Sequence, residues 1–404
     1  MIKQFSAFIL AFSVILTSVE ALAQLKVSTI DFRFQYDINS NLRGDILSSK
    51  QDTTAILRIK FNTPLDSLER YEVSYSLTNS LEEEITTRIR LHKLNSYFLF
   101  EDESGSQYGI KAYVGDAKYF VLWLSDSVSN IKYPYIKLLT RHFQSEDILL
   151  QQRDLNATVF QSYLPVNSTV RVVSMSKWVS SIQADFYDYH FLPAKPPMAQ
   201  TKDSLSQTFS VDRSFLINSN DSIQLSEIGL YYFHLGESQL GSTILVRDDK
   251  YPRISQIESL AESLRYLATQ EEFMKINSSF NKKELFDEFW LNNTKSEEKA
   301  RIAIKEYFKR VRETNLLFTT YKEGWKTDFG MIYIIFGPPS KILVNDKGIL
   351  WVYNKTFELP RVNFFFNHVN TAFSDKHFVL DRKPEFQNLW FRTVDLWRTG
   401  KKEF

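Results

Sequence analysis

The sequence of 404 residues predicts a multidomain, mainly β chain that ends in an α+β domain: two immunoglobulin-like β-sandwiches, then a helix-rich domain with strands of its own. Three observations carry that expectation. Apolar and polar residues alternate with period two over two successive stretches, 24–146 and 155–250, with turn residues every ten or so positions. From Tyr251 the apolar spacing lengthens to that of an α-helix. Aromatic residues make up 15% of the chain, including 33 Phe and 20 Tyr, a composition that suits sandwich cores and sheet faces.

At the N-terminus, Lys3 precedes an apolar run from Phe8 to Leu16, and Ala21-Leu22-Ala23 has the small-x-small form of a cleavage site. Residues 1–23 therefore read as a signal peptide, cleaved to leave Gln24 first. The run is shorter than the roughly 20 apolar residues a spanning helix needs, which sets aside an uncleaved anchor. The absence of cysteine excludes disulfides, thiol catalysis and an N-terminal lipid anchor on cysteine. The expected location is the periplasm or the neighbourhood of an outer membrane, not as a lipoprotein, and triplets such as Asn167-Ser168-Thr169 read as chance rather than glycan sites. With 49 basic and 48 acidic side chains the formal charge is +1, so no global field draws the protein to nucleic acid.

The first block shows alternation at Ile30, Phe32, Phe34 and Tyr36, at Ala55, Leu57, Ile59 and Phe61, and at Tyr71, Val73, Tyr75 and Leu77. Tyr119 to Leu124 is continuously apolar, as a strand buried on both faces would be. Asp102–Ser106 and Asp126–Asn130 supply turns, and Gln144 to Asn156, without strand alternation, reads as a linker. In the second block the clearest strands are Thr169–Val173, Ala184–Phe191, Gln207–Val211 and Gly229–Leu235, and Pro193–Pro197 is a stiff loop.

The third block, 251–404, opens with the capping-box pattern Ser255-x-x-Glu258 ahead of Ile257, Leu260, Leu264 and Leu267. Thr269-x-x-Glu272 and Thr294-x-x-Glu297 repeat the pattern before further helices. One helix carries Leu285, Phe286, Phe289 and Trp290, and a longer one sets Ala300, Ile304, Tyr307, Val311 and Phe318 along one stripe. Strands are expected at 331–336, 349–353 and 362–366, the first two joined as a hairpin by Asn345–Gly348. The end, Phe386 to Trp397, has the spacing of a helix docking its aromatics on the core, with a basic amphipathic helix on a membrane surface as the alternative. Five of the seven tryptophans fall in this block.

The most distinctive segment is Gly324-Trp325-Lys326-Thr327-Asp328, followed by the apolar run 331–336 and Gly337-Pro338-Pro339. Glycine at 324 permits positive φ after a helix, Trp325 swings onto a packed surface, and Thr327 and Asp328 hydrogen-bond back as turn formers. Gly330 then releases the chain into a strand, which Gly337-Pro338 ends. This block resembles the GWxTD domain family, known mainly from Bacteroidota. The resemblance rests on the letters Gly324, Trp325, Thr327 and Asp328, on the Gly-Pro-Pro that follows, and on a lead-in of Arg310-Val311, Asn315 and Phe318. Many relatives carry Arg after the Asp; here Phe329 stands there. The family implies an envelope protein and brings no assigned reaction.

Chemical motifs are otherwise sparse. His92, His142, His190, His234, His368 and His377 show no helical zinc spacing, and no phosphate loop, dinucleotide fingerprint or nucleophile elbow occurs. Neither a cofactor nor a metal is expected. Asp375 beside His377 reads as a turn residue next to a strand histidine. Glu323 and Asp328 form a carboxylate pair to test for glycoside cleavage, which needs about 5–9.5 Å between carboxyls. The sequence therefore favours a non-catalytic binding or scaffolding protein of the cell envelope with protein partners. The alternatives are a hydrolase acting on polysaccharide or peptide through a cleft near Asp328, and a glycan-binding module using Trp325.

Overall fold

The computed structural model describes residues 25–401 except 64–67, 92–97, 104, 140–147, 153–156, 176–179, 201–208, 236–240, 357–358 and 370. The expected signal peptide lies outside the described residues, as do His92 and His142.

The chain is rich in strands, with helices gathered mostly in its last third. In the first region, β1 (Gly44–Gln51), β2 (Thr54–Phe61), β6 (Gly105–Tyr113) and β5 (Phe98–Asp102) form one antiparallel sheet, in the order β1-β2-β6-β5. A second sheet runs β4-β3-β7-β8, from β4 (Ile89–Arg90), β3 (Tyr71–Thr78), β7 (Tyr119–Asp126) and β8 (Lys132–Leu138). Ala55, Leu57, Ile59 and Phe61 of the first sheet share one apolar core with Val73, Tyr75, Phe120, Leu122 and Leu124 of the second. The continuous run in β7 has its reason in its other face: Tyr119, Val121 and Trp123 enter the core of the C-terminal domain.

In the second region, a five-stranded sheet has the order β10-β16-β15-β12-β13, from β10 (Tyr163–Pro165), β12 (Ser181–Tyr187), β13 (Arg213–Asn218), β15 (Gly229–His234) and β16 (Gly241–Arg247). It shares a core with a three-stranded sheet of β9 (Ile148–Gln152), β11 (Ser168–Ser174) and β14 (Ser222–Leu225). Here β15 is the strand buried on both faces. Tyr231 and Phe233 point into the shared core, while Leu230 and Tyr232 join Tyr187, Phe191 and Tyr321 in a separate cluster against the C-terminal domain.

The C-terminal region carries α2 (Ile257–Ser263), α3 (Gln270–Ser278), α4 (Lys282–Thr294), α5 (Glu297–Phe318), α6 (Asp328–Phe336) and α7 (Phe386–Arg398), after the single turn α1 (Arg33–Tyr36) near the N-terminus. These helices pack with an antiparallel sheet of β17 (Lys341–Asn345), β18 (Gly348–Tyr353), β19 (Val362–His368) and β20 (Phe378–Leu380). The C-terminal helix docks as expected, burying Trp390 and Trp397, with Arg398 clamping Glu272. Among the described residues no helix is long and apolar enough to cross a membrane.

Several local expectations are corrected. The segment 331–336 is not a strand but most of α6, and Asn345–Gly348 instead joins β17 to β18. A short run rich in Ile and Tyr is ambiguous between strand and buried helix. Thr327 at the N-cap, Asp328 in the first turn and Gly337 at the C-terminus decide for helix. Every residue of α6 is buried, so no polar face reveals its period.

Ile30–Tyr36 forms no strand either. Phe32 and Tyr36, four apart around α1, turn toward the C-terminal core, where Tyr36 meets Phe318, Phe329 and Trp351, while Phe34 meets Tyr133 and Tyr135. The expected linker 144–156 contains strand β9, whose Ile148 and Leu150 are core residues. Of Gln207–Val211, the residues from Phe209 on have no strand structure, and the edge strand starts at Arg213; Gln207 and Thr208 lie outside the described residues. The Thr269 capping box forms in full, whereas α2 is preceded by Gln256 without a side-chain cap and α5 is capped by Ser296. Thr294 instead closes α4, its hydroxyl donating to the Trp290 carbonyl at 2.8 Å.

Candidate functional site

The Gly-Trp-Lys-Thr-Asp segment begins as a 3-10 turn, Gly324–Lys326, lying on the C-terminal half of α5. Gly324 does not adopt positive φ. Its requirement is proximity: a Cβ there would lie 1.9 Å from the Thr314 carbonyl oxygen. Gly330 has the same role one step on, since its Cβ would lie 2.0 Å from the Gly324 carbonyl oxygen. The two glycines let three pieces of backbone stack without side chains between them. Positive φ falls instead at Gly337 (φ 87°), which ends α6.

Each remaining residue of the segment ties it to a different element. The Trp325 amide donates to Asn315 Oδ1 on α5 at 3.1 Å, and its carbonyl accepts from the Tyr266 hydroxyl at 3.0 Å. Its indole is 2% exposed, edge-on to Tyr266 and with Lys326 Nζ 5.3 Å from the ring. The Lys326 carbonyl accepts from the Ala194 amide at 2.9 Å, which docks the proline-rich loop of the second region. The Thr327 hydroxyl donates to the Gly324 carbonyl and accepts from the Gly330 amide, so one oxygen both closes the turn and caps α6.

Asp328 is not the turn former that its position suggested. Its carboxylate, in a residue 5% exposed, accepts from the Leu380 amide at 3.0 Å and from both terminal nitrogens of Arg382. Arg382 in turn donates to the Lys195 carbonyl, and the Lys383 amide to the Pro197 carbonyl. Behind α6, Arg310 donates to the Ile334 carbonyl and packs on Trp397, and the Tyr353 hydroxyl donates to the Gly337 carbonyl. Pro338 is exposed, whereas Pro339 is buried. Phe329 stacks on Trp351 at 4.9 Å.

A cavity of about 120 Å³ opens beside the turn, lined among others by His190, Arg247, Arg253, Glu262, Glu323 and Trp325. Lys326 Nζ sits among its charges, 3.3 Å from Glu323, 3.5 Å from Glu262 and 3.5 Å from His190 Nε2. Glu262 also holds His190 at 2.7 Å, and Glu323 holds Arg247 at 3.1 Å. Burial works to raise the Glu323 carboxyl, but Lys326 and Arg247 prevail and hold it below the usual carboxylate range. Burial pushes the Tyr251 phenol on the wall far up, so it stays protonated and hydrogen-bonded to Thr319.

The carboxylates of Glu323 and Asp328 are thus committed to separate cations, Glu323 to Arg247 and Lys326, Asp328 to Arg382. Asp375 forms an ion pair with Lys137 of the first region at 2.9 Å, and its backbone carbonyl accepts from His368 Nε2 at 2.6 Å. His377 is buried beside Tyr321 and pushed down to about 3 by burial, then by Lys322 and His368. His234 is buried against Asp185. Among the described residues no cluster of three or more His, Asp or Glu is arranged to hold a metal ion.

Local sequence did not reveal Arg382, Glu262, His190 or Arg247 as members of this neighbourhood. Arg382 lies 54 positions from Asp328 and His190 136 from Lys326, so only the tertiary fold joins them. Lys326, the unspecified letter of the motif, was the one available signal, a lysine flanked by Trp and Thr at the centre of the turn.

These features place the C-terminal region in a definite class: an α+β domain whose signature turn is buried between a long helix, a short sheet and a neighbouring β region. The GWxTD domain family model matches residues 229–399, so this part of the chain is a GWxTD domain. The match begins at β15, so the last two strands of the second β region fall within it. A search of curated proteins finds no match.

Proposed function

We propose that the protein is an exported, non-catalytic binding or scaffolding component of the bacterial cell envelope, in which the GWxTD turn is a structural joint and partner proteins dock on the β regions. The observation that carries this reading is the commitment of the turn: Trp325, Thr327 and Asp328 are buried, and their polar groups bond to α5, Tyr266, α6, β20 and Arg382. A hydrolytic acid near the turn needs a carboxyl free to exchange a proton with substrate, and a sugar platform needs an open aromatic face. Asp328 is clamped and Trp325 covered.

The strand orders β1-β2-β6-β5 and β4-β3-β7-β8 support an immunoglobulin-like reading of the first region, because they follow the A-B-E-D and C′-C-F-G sheets of that fold. The N-terminal basic residue, apolar run and Ala-x-Ala site support export through a cleaved signal peptide, and the lack of cysteine argues against a lipid anchor.

Affinity capture of the full-length protein from crosslinked envelopes tests the proposal. A reproducible protein partner, retained in an Asp328→Asn variant that stays folded, is the expected result. Capture of no specific partner, together with a hydrolytic activity that Asp328→Asn abolishes, would overturn it.

A further inference from the structure

The cavity beside the turn has unequal demands on its acids and its bases. Two of its three acids are already matched by cations: buried Glu323 by Arg247 and Lys326, half-buried Glu262 by His190 and Lys326. The third, Asp248, accepts from the Lys250 amide at 3.0 Å. Its donors are not matched. Arg247 Nε is buried with no hydrogen-bond acceptor. Arg253, Ser255 and Ser259 line the same cavity, and none of these side chains bonds another described residue. A buried guanidinium nitrogen without an acceptor is costly, and a cavity of about 120 Å³ has room for roughly four waters or one small group.

We propose that this cavity is a binding site for a single oxyanion group, a carboxylate or a phosphate, held by Arg247 and Arg253 with Ser255 and Ser259 as neutral donors. Guanidinium groups suit such a ligand because their planar fork matches its paired oxygens. Lys326 supports the site from behind by neutralising both Glu262 and Glu323, which otherwise repel an anion. Arg247 closes the last strand of the second β region, His190 lies in the loop after β12, and Glu323 and Trp325 belong to the signature turn. A bound anion therefore bridges the last strand of the second β region to the segment that leads into α2, beside the GWxTD turn. This site is independent of the scaffolding reading, whose test is partner capture.

The test is titration of the full-length protein with inorganic phosphate and, separately, with acetate, at ionic strength held constant with sodium chloride. Binding is read by calorimetry and by the shift in melting temperature. Saturable binding of one of the two is expected, and the arm that saturates identifies the oxyanion class. Arg253→Gln, an exposed position whose change leaves the fold intact, should weaken binding about tenfold or more. Lys250→Gln, outside the lining, should leave it unchanged. Absence of saturable binding in both arms, or equal loss in both variants, would overturn the proposal.

Discussion

The two β regions meet the C-terminal α+β domain in the same way and with different results. Each presents one strand buried on both faces, β7 in the first and β15 in the second. Through Tyr119, Val121 and Trp123, β7 enters the apolar core of the GWxTD domain itself, and the contact is pinned by Lys137–Asp375 and by Asp346 accepting from Ser80 and the Leu81 amide. Through Leu230 and Tyr232, β15 reaches a smaller aromatic cluster around Tyr321 and Phe373, which remains separate from that core. Beside the second contact lie the signature turn and a charged cavity. The first interface thus extends a core, and the second leaves room for polar groups. A joint that holds a ligand belongs at the second.

The sharpest way to break this comparison is at the backbone stack. Gly324→Ala forces a methyl into the Thr314 carbonyl, and a loss of about 4 kcal/mol or more in urea unfolding is expected, enough to deplete folded protein. Next comes the clamp. Asp328→Ala should cost about 3–5 kcal/mol by leaving Arg382 buried without its carboxylate, whereas Asp328→Leu combined with Arg382→Met should recover much of that loss. Truncating Trp123 to Ala removes the largest apolar group of the first interface and strands Ser76, at a cost of about 3 kcal/mol in the same measurement.

Acid should loosen the first interface. Burial opposes ionisation of Asp375, yet Lys137 and Lys376 hold its carboxyl down to about 2, below its ordinary 3.8. A carboxyl with a depressed folded pKa binds fewer protons than in the unfolded chain, so its contribution is complete above about pH 4 and is lost as pH falls toward 2. Asp375→Asn should flatten that part of a stability–pH curve. The smallest effect is expected at the second interface, where the Tyr232 hydroxyl is buried without a partner. Tyr232→Phe should be neutral or stabilising by about 1 kcal/mol.

Much of the architecture was legible because burial imposes period on one-sided elements. The alternation at 55–61 and 71–77 and the stripe from Ala300 to Phe318 each gave the element found there. The double-faced strand β7 was legible from its unbroken apolar run. What escaped was structure whose pattern comes from more than one neighbour. Phe32, Phe34 and Tyr36 alternate because they face two different cores, not because they form a strand. Helix α6 is buried all round and has no period to read. The motif was recognisable as a turn, but its partner Arg382 and the cavity charges from His190 to Glu323 assemble only when distant segments fold together.

Hydrogen exchange at three amides tests the joint most directly. Gly324, Trp325 and Gly330 donate to Thr319 Oγ1, Asn315 Oδ1 and Thr327 Oγ1, all buried. If the turn is a structural joint, these amides exchange only through global unfolding, as slowly as the core strand β18. Exchange at the rate of a surface loop, while β18 remains protected, would contradict it.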